Sequence, residues 1–173
     1  KRIRVVILLN MNKYKITNAS KNDMDFILNL NQNNMPAVSH LTNDLFFKFL
    51  DISDYFKVIK YREDSVGFLI ALLPDKFYNS INYKWFNTHY KSFIYVDRIV
   101  ISEKNQNKGL GGFFYNNIKS EYKSKVSQIA CEVNIKPFNE QSIIFHKKSG
   151  FKEVGQQRTE NNKKIVSLQI FKL

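Results

Sequence analysis

One cysteine, Cys131, is all that 173 residues contain. Neither a disulfide framework nor a thiolate zinc site can be built from it, and a reducing, cytoplasmic setting fits best. Long apolar runs are missing as well. None approaches the roughly 18 to 20 residues of a membrane-spanning helix, so the chain reads as a soluble protein. Arginine is scarce: five arginines stand against 22 lysines among the 27 cations behind a net charge of +12. They are scattered, with no arginine-rich stripe, zinc-finger spacing or RNP-like aromatic signature, which disfavours a dedicated nucleic-acid role. The lysine excess reads as a solvated surface, whose field would still favour a small anionic ligand. Glycine is sparse too, yet three of the six fall within four positions, Gly109, Gly111 and Gly112.

Apolar residues make up 43% of the chain and aromatics 14%, too much for disorder, and the length suits one domain with a sizeable core. Residues 11–173 read as that domain. Residues 1–10, KRIRVVILLN, precede Met11 and carry an apolar run shorter than a signal h-region. They are read as an upstream extension, or as a strand, RVVILL, added at a sheet edge.

The pattern alternates strands and helices. Residues 14–19 suggest a strand, after which Ser20 stands ahead of a helical pattern of Met24, Ile27 and Leu28. Leu41, Leu45, Phe46 and Phe49 recur at helical spacing beyond His40. Residues 55–62 and 65–73 predict a β-hairpin that Pro74 ends. Residues 74–92 hold seven aromatic or histidine side chains without clear periodicity and are expected to be irregular, folded over a site. Residues 93–101, FIYVDRIVI, predict a central strand buried on both faces. Past the glycines, Leu110, Phe114, Ile118 and Tyr122 share one helical face. Residues 126–134 alternate, with Ile129, Cys131 and Val133 on one side and Ala130, Glu132 and Asn134 on the other. Asn139 caps a short helix that Gly150 ends, and the tail closes as a hairpin about Asn161 and Asn162. The class is mixed α/β.

The loop QNKGLGG, residues 106–112, joins a strand to a helix start. There, backbone N–H groups meet the positive end of a helix dipole with no side chains in the way, which makes an anion site. A Walker loop is excluded, because Lys108 precedes Gly109 instead of following the last glycine. A dinucleotide fingerprint fails because Phe114 stands where its third glycine belongs.

The hexapeptide Gln106-Asn107-Lys108-Gly109-Leu110-Gly111, between a β-rich run and an amphipathic helix, resembles the Q/R-x-x-G-x-G/A loop of the GNAT superfamily of N-acetyltransferases. A second signature follows, since the stretch NEQSIIFHKKSGF, residues 139–151, is similar to that family's N-x-x-A/S-x-x-x-Y-x-x-x-G-F helix. The phrases YVDRIVI, CEVN and FHKKSGF further resemble a bacterial branch of predicted acetyltransferases. The resemblance implies a GNAT fold, with a mostly antiparallel central sheet, splayed central strands and helices on both faces. It also implies acetyl-coenzyme A as co-substrate, no metal, and a small-molecule or peptide amine as acceptor; a homodimer is compatible with it. By resemblance, the backbone of Ile99, Val100 and Ile101 pairs with the pantetheine arm. Gln106, Asn107, Lys108, Gly109, Leu110 and Gly111 cradle the pyrophosphate, Gly112 lets the helix start approach it, and Asn139 hydrogen-bonds the pantetheine.

Acetyl transfer to an amine needs a base for the amine and a proton for the departing thiolate. Glu132 and Asp97 are the candidate bases, because each is a carboxylate in a mostly apolar strand where burial raises its pKa. A structural ion pair with Arg98 is the competing reading for either. The family's tyrosine is replaced by His146, whose N–H is the expected donor to the thiolate, with Tyr115 in reserve. That replacement keeps a non-catalytic acyl-coenzyme A binding module in play, with a basic nucleic-acid binder as the third reading.

Overall fold

The computed structural model describes residues 13–173, and the expected extension or added strand at residues 1–10 lies outside them. Among the described residues, seven strands form one sheet in the order β1-β2-β3-β4-β5-β7-β6. They are β1 (Tyr14–Asn18), β2 (Tyr55–Tyr61), β3 (Asp64–Leu72), β4 (Ile94–Ile101), β5 (Gln128–Lys136), β6 (Lys152–Thr159) and β7 (Lys164–Lys172). Five α-helices accompany them: α1 (Met24–Gln32), α2 (Asn43–Ile52), α3 (Ile81–His89), α4 (Leu110–Tyr122) and α5 (Glu140–Lys148). Every strand pair is antiparallel except β4 with β5.

That parallel pair is short. It runs only from Ile94 opposite Ile129 to Val96 opposite Cys131. Beyond it β4 stays bonded to β3 as far as Ile101, and β5 stays bonded to β7 as far as Lys136. The two strands therefore part, leaving backbone edges that face each other across a gap in mid-sheet. The register of β4 explains part of the divergence, because Arg98 pairs with Ile70 and Val96 with Ala71, which leaves Asp97 as a bulged residue. The bulge also resets the alternation. Tyr95 and Val100, five positions apart, pack in the same core cluster, whereas uninterrupted pleating would put them on opposite faces.

Each sheet face carries its own core. On one, Ile27 and Leu30 of α1, Phe46 and Phe49 of α2, and Tyr83 and Phe86 of α3 cover Tyr95, Ala130 and Leu168. On the other, Leu110, Phe114, Ile118 and Tyr122 of α4 cover Ile94, Val96, Ile129 and Cys131. The helical stripe expected of α4 is thus the stripe that is buried, and Ala130 and Cys131 face opposite sides as strand alternation requires.

Residues 74–92 depart from the expectation of an irregular segment, since half of them form α3. The reason is local. The Ser80 side chain accepts from the Tyr83 amide and caps the first turn, a contact of about 1 kcal/mol. Asn82, Tyr83 and Phe86 then fall on the buried side, while Trp85 stacks on His89 at 4.0 Å. A run of aromatics hides this amphipathicity, because outward-facing and inward-facing rings look alike in composition.

Candidate functional site

The gap between β4 and β5 opens into a cleft of about 1020 Å³, which runs from the glycine loop to the α1–α2 connection and the β6–β7 turn. At one end Gly109, with φ of +83°, is the N-cap of α4 and offers no side chain to cap the first turn. The left-handed conformation suits glycine, and Asn107, at φ of +58°, also tolerates it. First-turn N–H groups thus point out of the helix with no side-chain acceptor, as an anion site requires. Gln106 holds the loop in place: its amide donates to the Ile101 carbonyl at 3.1 Å and accepts from Gln141 of α5 at 3.2 Å. Lys108 points back to Asn105 at 3.1 Å. Gly111 has a packing duty as well, because an added Cβ would lie 2.7 Å from the Phe145 ring, whereas Gly112 faces open space.

Asn139 caps α5 through its Oδ1, which accepts from the Ser142 amide at 3.1 Å. It lines the cleft together with Ile99, Val100 and Ile101. The candidate binding residues of the sequence, Lys108 excepted, thus line the same cleft, where the edge of β4 meets the starts of α4 and α5.

The two candidate bases differ in their partners. Asp97 accepts from the Tyr78 hydroxyl at 2.5 Å and from Arg98 Nε at 2.7 Å, with both members of the ion pair buried. Arg98 in turn donates to Asn31 and to Ser39. Asp97 is therefore tied into a structural ion pair that anchors the α1–α2 connection. Glu132 has no ion pair among the described residues. Its Oε2 accepts from the Tyr95 hydroxyl at 2.6 Å and its Oε1 from Asn82 Nδ2 at 3.1 Å. Burial, reinforced by the charge of Asp97, raises its pKa to about 7, against the opposing pull of those hydrogen bonds and of Arg98. A half-buried carboxylate in a cleft that titrates near neutrality is suited to proton abstraction.

His146 is buried, 2% exposed, beside the cleft. Its Nδ1 lies 2.8 Å from the Ser142 carbonyl and its Nε2 2.8 Å from the Tyr115 hydroxyl. A carbonyl only accepts, so Nδ1 carries the proton and Nε2 of the neutral ring accepts from Tyr115. Burial lowers its pKa to about 4, outweighing the opposing bond to Ser142. Neither nitrogen then directs a proton into the cleft. Tyr115 is buried too, at 1% exposure. The family resemblance singled out His146 but not this pairing, which joins α4 to α5.

These opposed shifts have a measurable consequence. The unfolded imidazole titrates near 6.5 and the folded one near 4, so the unfolded state binds the extra proton between those values. Stability on this account falls as pH drops from 6.5 to 4, by about 3 kcal/mol. Glu132 runs the other way, because its folded carboxyl keeps a proton between 4.5 and about 7 and stability falls as pH rises. The two contributions offset in the native chain. In Glu132→Gln the His146 contribution stands alone, and the urea midpoint should rise more steeply between pH 4.5 and 6.5 than in the native chain. Equal slopes would contradict the burial of one or the other.

Tyr78, Asn82, Tyr95 and Gln157 were not singled out in the sequence. Gln157 of β6 donates to Asn82 Oδ1 at 2.9 Å. No cluster of metal-ligating side chains occurs among the described residues, and none of their helices is long and apolar enough to cross a membrane.

No protein-family model matches the sequence, and no match is found among curated proteins. Solved structures do match. Ard1 from Thermoplasma volcanium superposes with a TM-score of 0.76 at 15% identity, covering 93% of this chain and 98% of its own. Naa50 of Arabidopsis thaliana, solved with the bisubstrate analogue CoA-Ac-MVNAL, gives 0.70 at 15% identity over 92% and 98%. A GNAT family acetyltransferase from Elizabethkingia anophelis with acetyl-CoA bound gives 0.65 at 16% identity over 94% and 99%. The chain has the fold of these GNAT acetyltransferases, with the splayed central strands and two helical layers that the resemblance implied.

Proposed function

We propose that the chain is an acetyl-coenzyme A-dependent N-acetyltransferase acting on a primary amine by direct attack in a ternary complex. The observation that carries this reading is the parting of β4 from β5 after Val96 and Cys131, with an uncapped glycine-rich helix start at one end and Glu132 beyond the fork. The pyrophosphate lies on the N–H groups of residues 109–112, the pantetheine follows the free edge of Ile99, Val100 and Ile101, and Asn139 donates to it. Structures of this fold with acetyl-CoA or a CoA conjugate bound support the choice of co-substrate.

Glu132 takes a proton from the ammonium form of the acceptor. The neutral amine attacks the thioester carbonyl carbon, the C–S bond breaks, and the second proton on nitrogen leaves with the sulfur, giving an amide and a free thiol. Asp97 serves the cleft through its ion pair with Arg98. His146 holds Tyr115 and the α4–α5 junction, and donation from His146 to the thiolate would require Nδ1–H to leave the Ser142 carbonyl. His146→Ala is therefore expected to lower the melting temperature while kcat falls less than tenfold; a loss of tenfold or more in folded protein would restore His146 as the acid.

The test of the function is thiol release from acetyl-coenzyme A across a panel of amines, headed by the peptide MVNAL and including polyamines and free amino acids. Release that depends on an amine, with an acetylated product, is expected. Acetyl-coenzyme A binding without amine-dependent release from any member would favour the non-catalytic binding module.

A further inference from the structure

Asn82 sits in the first turn of α3, 8% exposed, 50 residues away from Glu132 in sequence. Its amide bridges two strands that are not neighbours in the sheet. Nδ2 donates to Glu132 Oε1 of β5 at 3.1 Å, and Oδ1 accepts from Gln157 Nε2 of the edge strand β6 at 2.9 Å. The direction of this chain is set by chemistry. An ionised carboxylate can only accept, so the NH₂ end of Asn82 must face Glu132, and its oxygen is then left for a donor, which Gln157 supplies. Tyr95 donates to the other carboxylate oxygen at 2.6 Å. Each oxygen of Glu132 is thus held by one neutral donor, and no cation among the described residues is bonded to it.

We infer that Asn82, oriented by Gln157, is a positioning residue for acetyl transfer that fixes the Glu132 carboxylate in the cleft. The inference rests on the assignment of Glu132 as base. Other titratable or charged groups close enough to interact electrostatically with Glu132 are Asp97, Arg98 and Tyr78, and, from the opposite face of the sheet, Cys131 and Tyr115. Of these, Asp97 opposes ionisation and Arg98 favours it. Against burial and the Asp97 charge, the donors on the carboxylate stabilise its charged form. Because the amide comes from α3, whose first turn lines the cleft, the state of the base is coupled to the seating of that helix.

The experiment follows the Glu132 carboxyl directly. In protein labelled with ¹³C at glutamate side chains, the Glu132 titration is measured without substrate in the native chain, in Asn82→Ala and in Gln157→Leu. The acid limb of kcat/KM is measured in the same proteins with the best amine of the panel. A hydrogen bond to a charged group is worth enough to move a pKa by about one pH unit. Asn82→Ala is expected to move both the titration and the limb upward by about that amount, with KM for acetyl-coenzyme A unchanged. Gln157→Leu changes only an edge-strand side chain, keeps the test open should Asn82→Ala fold poorly, and is expected to move both the same way by less. An unchanged titration in folded variants, or a loss of rate equal at every pH, would overturn the inference. A titration that moves while the rate profile does not would remove Glu132 from the reaction, and with it the part given to Asn82, without touching the proposed acetyl-coenzyme A site.

Discussion

Glu132→Gln should lower kcat by about 10²- to 10⁴-fold, the usual contribution of a positioned general base, with little change in acetyl-coenzyme A affinity. Glutamine retains an acceptor toward Tyr95 and the side-chain volume, and its NH₂ meets an acceptor once the Asn82 and Gln157 amides turn about, so the cleft keeps its packing while the proton acceptor is lost. The pH profile carries the sharper signature. In the native chain kcat/KM should rise through an acid limb near the Glu132 pKa of about 7, because only the ionised carboxylate can take the amine proton. The limb should vanish in Glu132→Gln. His146 contributes no limb there, since burial holds it at about 4 and it stays neutral across the working range. An undiminished kcat in folded Glu132→Gln would exclude Glu132 as base. Asp97 is a poor replacement, bonded as it is to Arg98 and Tyr78.

Gly112→Asp should weaken coenzyme A binding by about a hundredfold without harming the fold. Gly112 is the third residue of α4 and faces open space, so its Cβ meets nothing within 4 Å. An aspartate in the first turn also suits the helix dipole and removes a glycine from a helix. The same carboxylate would stand where the pyrophosphate is proposed. At roughly 5 Å and an effective dielectric near 20, one pair of like charges costs about 3 kcal/mol, or about two orders of magnitude in Kd. Gly112→Asn, matched in size and uncharged, should lose far less. Gly111→Val would be a poorer probe, because its side chain would strike the Phe145 ring at 2.7 Å and loosen the α4–α5 contact whether or not a phosphate binds. Calorimetry showing equal Kd for Gly112→Asp and the native chain would rule out the phosphate cradle.

Local signals in the sequence proved readable where the physics is local. Glycines at a strand-to-helix junction, the Asn139 cap, and the two-residue alternation that puts Ala130 and Glu132 on one face all depend on neighbours a few positions away. Other features depend on distant partners. The bulge at Asp97 follows from the register between β3 and β4 and leaves no mark in the run YVDRIVI. Asp97 and Glu132 look equivalent in sequence, and it takes the neighbouring Arg98 on β4 together with Tyr78 and Asn82, brought in from residues 74–92, to divide them into an ion-paired carboxylate and one held by neutral donors. His146 was placed by its motif position, but its protonation is decided by its burial and by the Ser142 carbonyl, and its Nε2 is taken up by Tyr115 across the helix junction. The amphipathicity of α3 was masked by a surplus of rings on both its faces.

The most direct test of the account is a backbone amide spectrum of the native chain titrated with acetyl-coenzyme A. If the thioester lies between the parted strands, the amides of Ile99, Val100 and Ile101 and of Leu110, Gly111 and Gly112 should shift most and saturate together, while β1 and the outer faces of α1 and α2 stay still. Shifts spread over the lysine-rich surface, with those six amides unmoved at saturation, would contradict it.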